Sequence, residues 1–137
     1  MANKWERIIL DTNLWISFLI TKDFSKLDKI LFSRKAILIF SEELLEEFIS
    51  VAKRPKFRKH FSLEDIEDVL ETIVQYADFV EVKSKITACR DEKDNFLLSL
   101  SVDGNADFLI TGDDDLLTLK KIDKTKIMTI TAYLKNK

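Results

Sequence analysis

Glycine is nearly absent from this 137-residue chain, which has only Gly104 and Gly112. Phosphate cradles of the Rossmann and P-loop type need several glycines at fixed spacing, so neither is available here. Cysteine is rarer still. Cys89 stands alone, which excludes an intrachain disulfide and a cysteine-built zinc site, and points to the cytosol as the compartment. His60 is the only histidine and no motif surrounds it, so Ser–His and Cys–His catalysis have no foundation. Long apolar runs are missing too. The N-terminus leads into only three consecutive apolar residues, Ile8 to Leu10, too few for a signal-peptide core, and no segment is long enough to span a membrane.

What is present is core and charge. Hydrophobic residues make up 46% of the chain and include ten phenylalanines, enough to bury a real core and to argue against intrinsic disorder. The length fits one domain over residues 1–137. Charged residues make up 34%, yet they balance to −2, so the molecule is no general cation for nucleic acid. Any such contact must be local or act through bound metal. With histidine, cysteine and glycine nearly exhausted, carboxylate is the chemical group left in abundance.

Short apolar runs alternate with helical patterns. Residues 7–10, 36–40, 79–82, 108–110 and 126–130 read as strands. Helical patterns follow Asp11-Thr12-Asn13, cover Phe24 to Ser33, run from a Ser41 cap to Ala52 with Pro55 beyond it, and run from a Ser62 cap to Tyr76. In the Ser62 helix, Ile66, Val69, Leu70, Ile73 and Val74 are the apolar residues. Further helices are expected from Glu92 to Val102 with Asp91 as cap, from Asp113 to Leu119, and from Thr131 onward. Continuous apolar strands separated by helices predict an α/β fold, a three-layer α/β/α arrangement around a central, mostly parallel sheet covered on both faces. Ligands in such sheets bind beyond the carboxyl ends of the strands.

That rule sorts the acids. Asp11 follows the first strand, and Asp113 follows the 108–110 strand across Thr111-Gly112. Each alone reads as a helix cap; two at one sheet edge suggest a shared site. On the Ser41 helix, Glu42, Glu43, Glu46 and Glu47 make an ordinary solvated acidic face favoured by the helix dipole. At about 100° per residue, however, Glu47 borders the stripe of Leu44, Phe48, Val51 and Ala52, whereas Glu46 points to solvent. In Asp91-Glu92-Lys93-Asp94-Asn95, Asp91 is explained as an N-cap. Asp94 enters a helix that Phe96, Leu97, Leu98 and Leu100 make apolar on most sides, where a carboxylate is costly unless paired or on metal. Converging carboxylates repel unless a hard cation joins them, and all-oxygen ligands favour Mg²⁺ or Mn²⁺.

Ile-Ile-Leu-Asp11-Thr12-Asn13, the Ser41–Glu47 segment, Arg90-Asp-Glu-Lys-Asp94-Asn95 and Thr111-Gly112-Asp113 occur in the order and spacing of PIN domains. The chain resembles that family from about Arg7 to Leu134, and looks most like the branch of toxins from toxin–antitoxin pairs. The resemblance implies a parallel sheet between helices and a Mg²⁺- or Mn²⁺-dependent endoribonuclease. It implies an acidic quartet, Asp11, Glu47, Asp94 and Asp113, that is both catalytic and metal-binding. It places Asn13, Ser41 and Thr111 as polar helpers, with Asp115 an acid that joins the metal shell in some relatives and Asp114 on the surface. It implies RNA as substrate, an antitoxin protein as partner, and a homodimer among the assemblies to expect. Glu92 departs from the branch, which often has proline there.

Between residues 53 and 60, Lys53, Arg54, Lys56, Arg58 and Lys59 pack five positive charges into eight residues. The segment reads equally as a track for an RNA backbone or as a solvated loop. Trp15 is expected to pack, Trp5 to serve a dimer or partner surface, and Cys89 to be inert. Two other functions compete: a non-catalytic PIN domain that binds RNA or protein, and a phosphatase with Asp11 as nucleophile. The phosphatase usually needs a second aspartate where this chain has Asn13.

Overall fold

The computed structural model describes residues 5–33 and 35–135. Its centre is a six-stranded sheet of order β3-β2-β1-β4-β6-β5. The strands are β1 (Arg7–Leu10), β2 (Ile37–Phe40), β3 (Ala77–Phe79), β4 (Phe108–Ile110), β5 (Lys121–Ile122) and β6 (Thr125–Met128). All pairings are parallel except β5 with β6. In β1 and β2 three consecutive residues are buried, which requires cover on both faces. Helices supply it, giving the three-layer α/β/α arrangement expected of a PIN-like fold.

The helices are α1 (Thr12–Thr21), α2 (Ser25–Asp28, continued by a π-helical turn to Ser33), α3 (Glu42–Ala52), α4 (Leu63–Tyr76), α5 (Asn95–Asp103), α6 (Asp114–Leu119) and α7 (Ile130–Lys135). Their starts follow from local chemistry. Ser41 Oγ accepts from Leu44 N–H at 3.1 Å, and Ser62 and Asp65 form a reciprocal capping box. Trp15 is fully buried and its ring packs against Phe18, Phe40 and Phe48, tying α1 and α3 to the end of β2. In α5, Leu97, Leu98, Leu100 and Ser101 are all buried, so this helix sits inside the protein. Gly104 ends it because space is short: a Cβ there would lie 2.7 Å from Ile39 and 2.8 Å from the Leu100 carbonyl.

Several boundaries differ from the expectation. α4 passes without a loop into β3, so that strand covers 77–79 instead of 79–82. Residues 80–88 are instead an irregular strap, whose alternating Val80 and Val82 mimic a strand. Of the apolar residues of α4, Val74 is exposed. The last parallel strand ends at Met128, two residues early, and a small hairpin with β5 precedes it. That hairpin turns through Asp123 in the left-handed region at φ 53°, and carries no glycine to announce it.

β1 lies between β2 and β4, and the chain departs from β1 toward opposite sides of the sheet. The crevice beyond the carboxyl ends of β1 and β4 is therefore the topological switch point. No helix among the described residues is long and apolar enough to cross a membrane.

Candidate active site

The switch point is acidic. Asp11 closes β1, its N–H bonded to the Ile110 carbonyl of β4 at 3.0 Å, which aligns the two strand ends. Its side chain is buried and accepts from Thr111 Oγ1 at 2.7 Å. The same hydroxyl accepts from Asp113 N–H at 3.0 Å, so Thr111 ties the two strand-end acids together. Asp113 in turn caps α6, its Oδ1 accepting from Asp115 N–H at 2.8 Å. The helix-cap role and the site position thus coincide in one residue.

Glu47 reaches the same edge from α3. It is half-buried and accepts a hydrogen bond from Thr12 Oγ1, the first residue of α1, while Glu46 is exposed. Thr12 carries no role in the sequence reading. Its place directly after Asp11 was the available signal, because the residue opening α1 must face whatever packs on that end of the helix.

Asp94 sits at the start of α5. Asp91 caps the preceding single turn, Glu92–Asp94, accepting from Lys93 N–H at 3.1 Å. Asp94 makes no capping bond. Its Oδ2 is buried and has no hydrogen-bond partner among the described residues. Burial first, then the adjacent Asp113 carboxyl, and then the charges of Asp113, Asp11 and Asp91 push its pKa up to about 7. Asp11 is raised as well. Burial is the main cause, offset by the Thr111 and Thr12 hydrogen bonds and reinforced by the Glu47 and Asp113 charges.

The fold therefore brings Glu47, Asp94 and Asp113 from three chain segments into electrostatic reach of Asp11, and Asp94 into reach of Asp113. It does not close them into a cage: among the described residues, no three Asp, Glu, His or Cys side chains form a group that could hold a metal ion. Each acid but Asp94 is satisfied locally, by Thr111, Thr12 or the Asp115 N–H. The donor set is all oxygen, and the buried, unpartnered Asp94 oxygen is the kind of atom a hard cation satisfies.

The other expected residues divide. Ser41 is buried and occupied as the α3 cap. Asn13 is exposed on the first turn of α1, and Asp114 is exposed on α6. Asp115 is half-buried and paired with Arg90 at 3.0 Å. Lys53, Arg54, Lys56, Arg58 and Lys59 are all exposed, around a short 3₁₀ turn where Phe57 stacks on Phe61 and Lys56 lies over the Phe57 ring. Lys22 Nζ donates to the His60 carbonyl at 3.4 Å, placing that segment beside the C-terminal end of α1. The segment begins at the C-cap of α3, where Lys53 follows Glu47 by six residues, about 9 Å of helix. Cys89 is buried, and burial followed by the neighbouring acids Asp94, Asp115 and Asp113 raises its thiol pKa, which keeps it protonated and unreactive.

A family model described as PIN domain matches residues 7–115. Among curated proteins none matches the chain.

Proposed function

The chain belongs to the PIN-domain family, a nuclease-type fold, and from that premise we propose that it is a metal-dependent endoribonuclease whose site is Asp11, Glu47, Asp94 and Asp113. The observation that carries this reading is Asp94. A carboxylate at the head of a buried helix, with one oxygen unsatisfied and the charges of Asp113, Asp11 and Asp91 close by, is costly in a scaffold and useful in a cation site.

Asp11, Glu47, Asp94 and Asp113 would hold Mg²⁺ or Mn²⁺, with Asp115 adjacent. Bound there, such an ion supplies a Lewis acid that activates water and offsets charge on the phosphodiester. The chain's own residues do the rest. Thr111 orients Asp11 and positions the Asp113 backbone, and Thr12 orients Glu47. Asp94 must give up its proton to act as a ligand, so cation affinity rises with pH through the neutral range. The exposed basic residues between Lys53 and Lys59 would track the RNA backbone away from the site.

The further reading, a toxin neutralised by an antitoxin protein, rests on sequence resemblance, as do a homodimeric assembly and a cytoplasmic location. The competing reading is a non-catalytic PIN domain that binds RNA or protein. One observation favours it: the acids are not gathered into a closed metal-binding group. Incubating purified protein with a mixed RNA pool in Mn²⁺, in Mg²⁺ and in chelator separates the two. The nuclease reading expects cleavage that chelator and Asp11→Asn both abolish. Cutting that survives both overturns the proposed metal site, and no cutting in either metal favours the scaffold.

A further inference from the structure

An all-acid site has a problem with its substrate: it repels a polyanion. The basic segment lies outside the cluster, beyond the C-terminal end of α3. One cation is anchored at the acids themselves. Arg90 Nη2 lies 3.0 Å from Asp115 Oδ1, and Asp115 N–H is held by Asp113.

The strap leading to Arg90 is fastened along one face of α5. Asp103 accepts from the N–H groups of Lys83 and Ser84 at 2.6 and 2.8 Å. Ser99 Oγ accepts from Ile86 N–H at 3.0 Å, and Asn95 Oδ1 accepts from Cys89 N–H at 2.8 Å. The three clips are four residues apart on the helix, so they form a single row. The last clip fixes the backbone one residue before Arg90, at the end of α5 where Asp94 stands. The root of Arg90 is thus rigid, while its side chain is 88% exposed. The guanidinium has five donors in a planar fork, and the ion pair with Asp115 leaves donors free.

We propose that Arg90 is the phosphate-gripping residue of this site, held toward the acidic cluster by Asp115 so that its free donors receive a backbone phosphate of the RNA beside the one to be cut. This rests on the nuclease reading above. Asp115 acts as a positioning residue: it aims Arg90. Arginine suits the task better than lysine because the fork meets two phosphate oxygens at once. With Arg90 so exposed, the ion pair contributes little to folding, so Arg90 is removable without loss of structure and Asp115→Asn keeps the shape of the half-buried partner.

The test compares Arg90→Ala, Arg90→Lys and Asp115→Asn with the unsubstituted protein. Affinity for a fluorescently labelled single-stranded RNA is read by anisotropy in chelator across a salt series, and KM and kcat are read in Mn²⁺. Arg90→Ala should bind about tenfold more weakly and lower the slope of log affinity against log salt by about 0.7, the value for one lost phosphate contact on a single strand. Arg90→Lys should recover part of the affinity. Asp115→Asn should raise KM more than it lowers kcat. Melting temperatures should not move. If the unsubstituted protein binds and cuts RNA and Arg90→Ala matches it in affinity and salt slope, the assignment of Arg90 is overturned while the nuclease reading stands. If the unsubstituted protein neither binds nor cuts RNA, both fall.

Discussion

Replacing Asp94 by Asn should stabilise the cation-free protein, an unusual outcome for a residue at a helix start. Asp94 makes no capping bond, so Asn loses none, and its amide can donate to Asp113 where a second carboxylate cannot. The sign follows from linkage. The folded pKa is about 7 against an ordinary 3.8, so the folded state holds the proton more tightly. Below pH 3.8 both states are protonated and Asp94 costs nothing; the cost accumulates as pH rises from 3.8 to 7 and is complete above 7. A shift of that size corresponds to about 4 kcal/mol for a fully buried group; Asp94 is half-exposed, and solvent screening reduces this to roughly 1–2 kcal/mol. Asp11 is also raised, and loss of the neighbouring Asp94 charge eases its ionisation, which acts in the same direction. Urea unfolding in chelator at about pH 5 and about pH 8 measures the difference. The variant should be more stable by roughly 1–2 kcal/mol at the higher pH, with the gap shrinking at the lower one. A variant less stable than wild type at high pH, or a gap independent of pH, would refute the reasoning.

Three further outcomes are expected. Glu47→Gln should remove most RNA cleavage and Glu46→Gln should not, since only Glu47 meets Thr12 at the site; equal loss in both would mean the helix face is wrongly assigned. Thr111→Val keeps the shape but removes the buried donor to Asp11 and the half-buried acceptor for Asp113 N–H, so it should cost about 1–3 kcal/mol in urea unfolding and weaken Mn²⁺ binding in calorimetry. Ser62→Ala breaks the α4 capping box and should cost about 1 kcal/mol while leaving RNA cleavage at the wild-type rate, which shows that stability loss alone does not abolish activity.

The parts of the fold legible in the sequence were those whose signal is local or periodic. β1, β2 and β4 bury consecutive residues and so appear as unbroken apolar runs. Ser41 and Ser62 announce their helices through hydroxyls that cap them. The phase of α3 separates Glu47 from Glu46 because only one borders the buried stripe. What depends on long-range contact was hidden. The strap at 80–88 has strand-like alternation, yet its hydrogen bonds go to Asp103, Ser99 and Asn95 side chains instead of a neighbouring strand. The β5–β6 hairpin turns on an aspartate where a glycine would have flagged it. Thr12 and Arg90 each owe their position to a partner 25 or more residues away. Asp113 was readable either as a cap or as a site residue; it is placed to be both, because a helix start at a switch point puts the cap in the crevice.

The central claim is that folding assembles four carboxylates that a hard divalent cation binds. The melting temperature of purified wild type, titrated with Mn²⁺ at constant ionic strength, tests it directly, because a ligand of the folded state raises stability by mass action. The wild-type protein should melt progressively higher as Mn²⁺ increases. Asp113→Asn should respond much more weakly, its helix cap being retained because Asn serves there nearly as well. A flat wild-type titration, or an equal response in the variant, would contradict the claim.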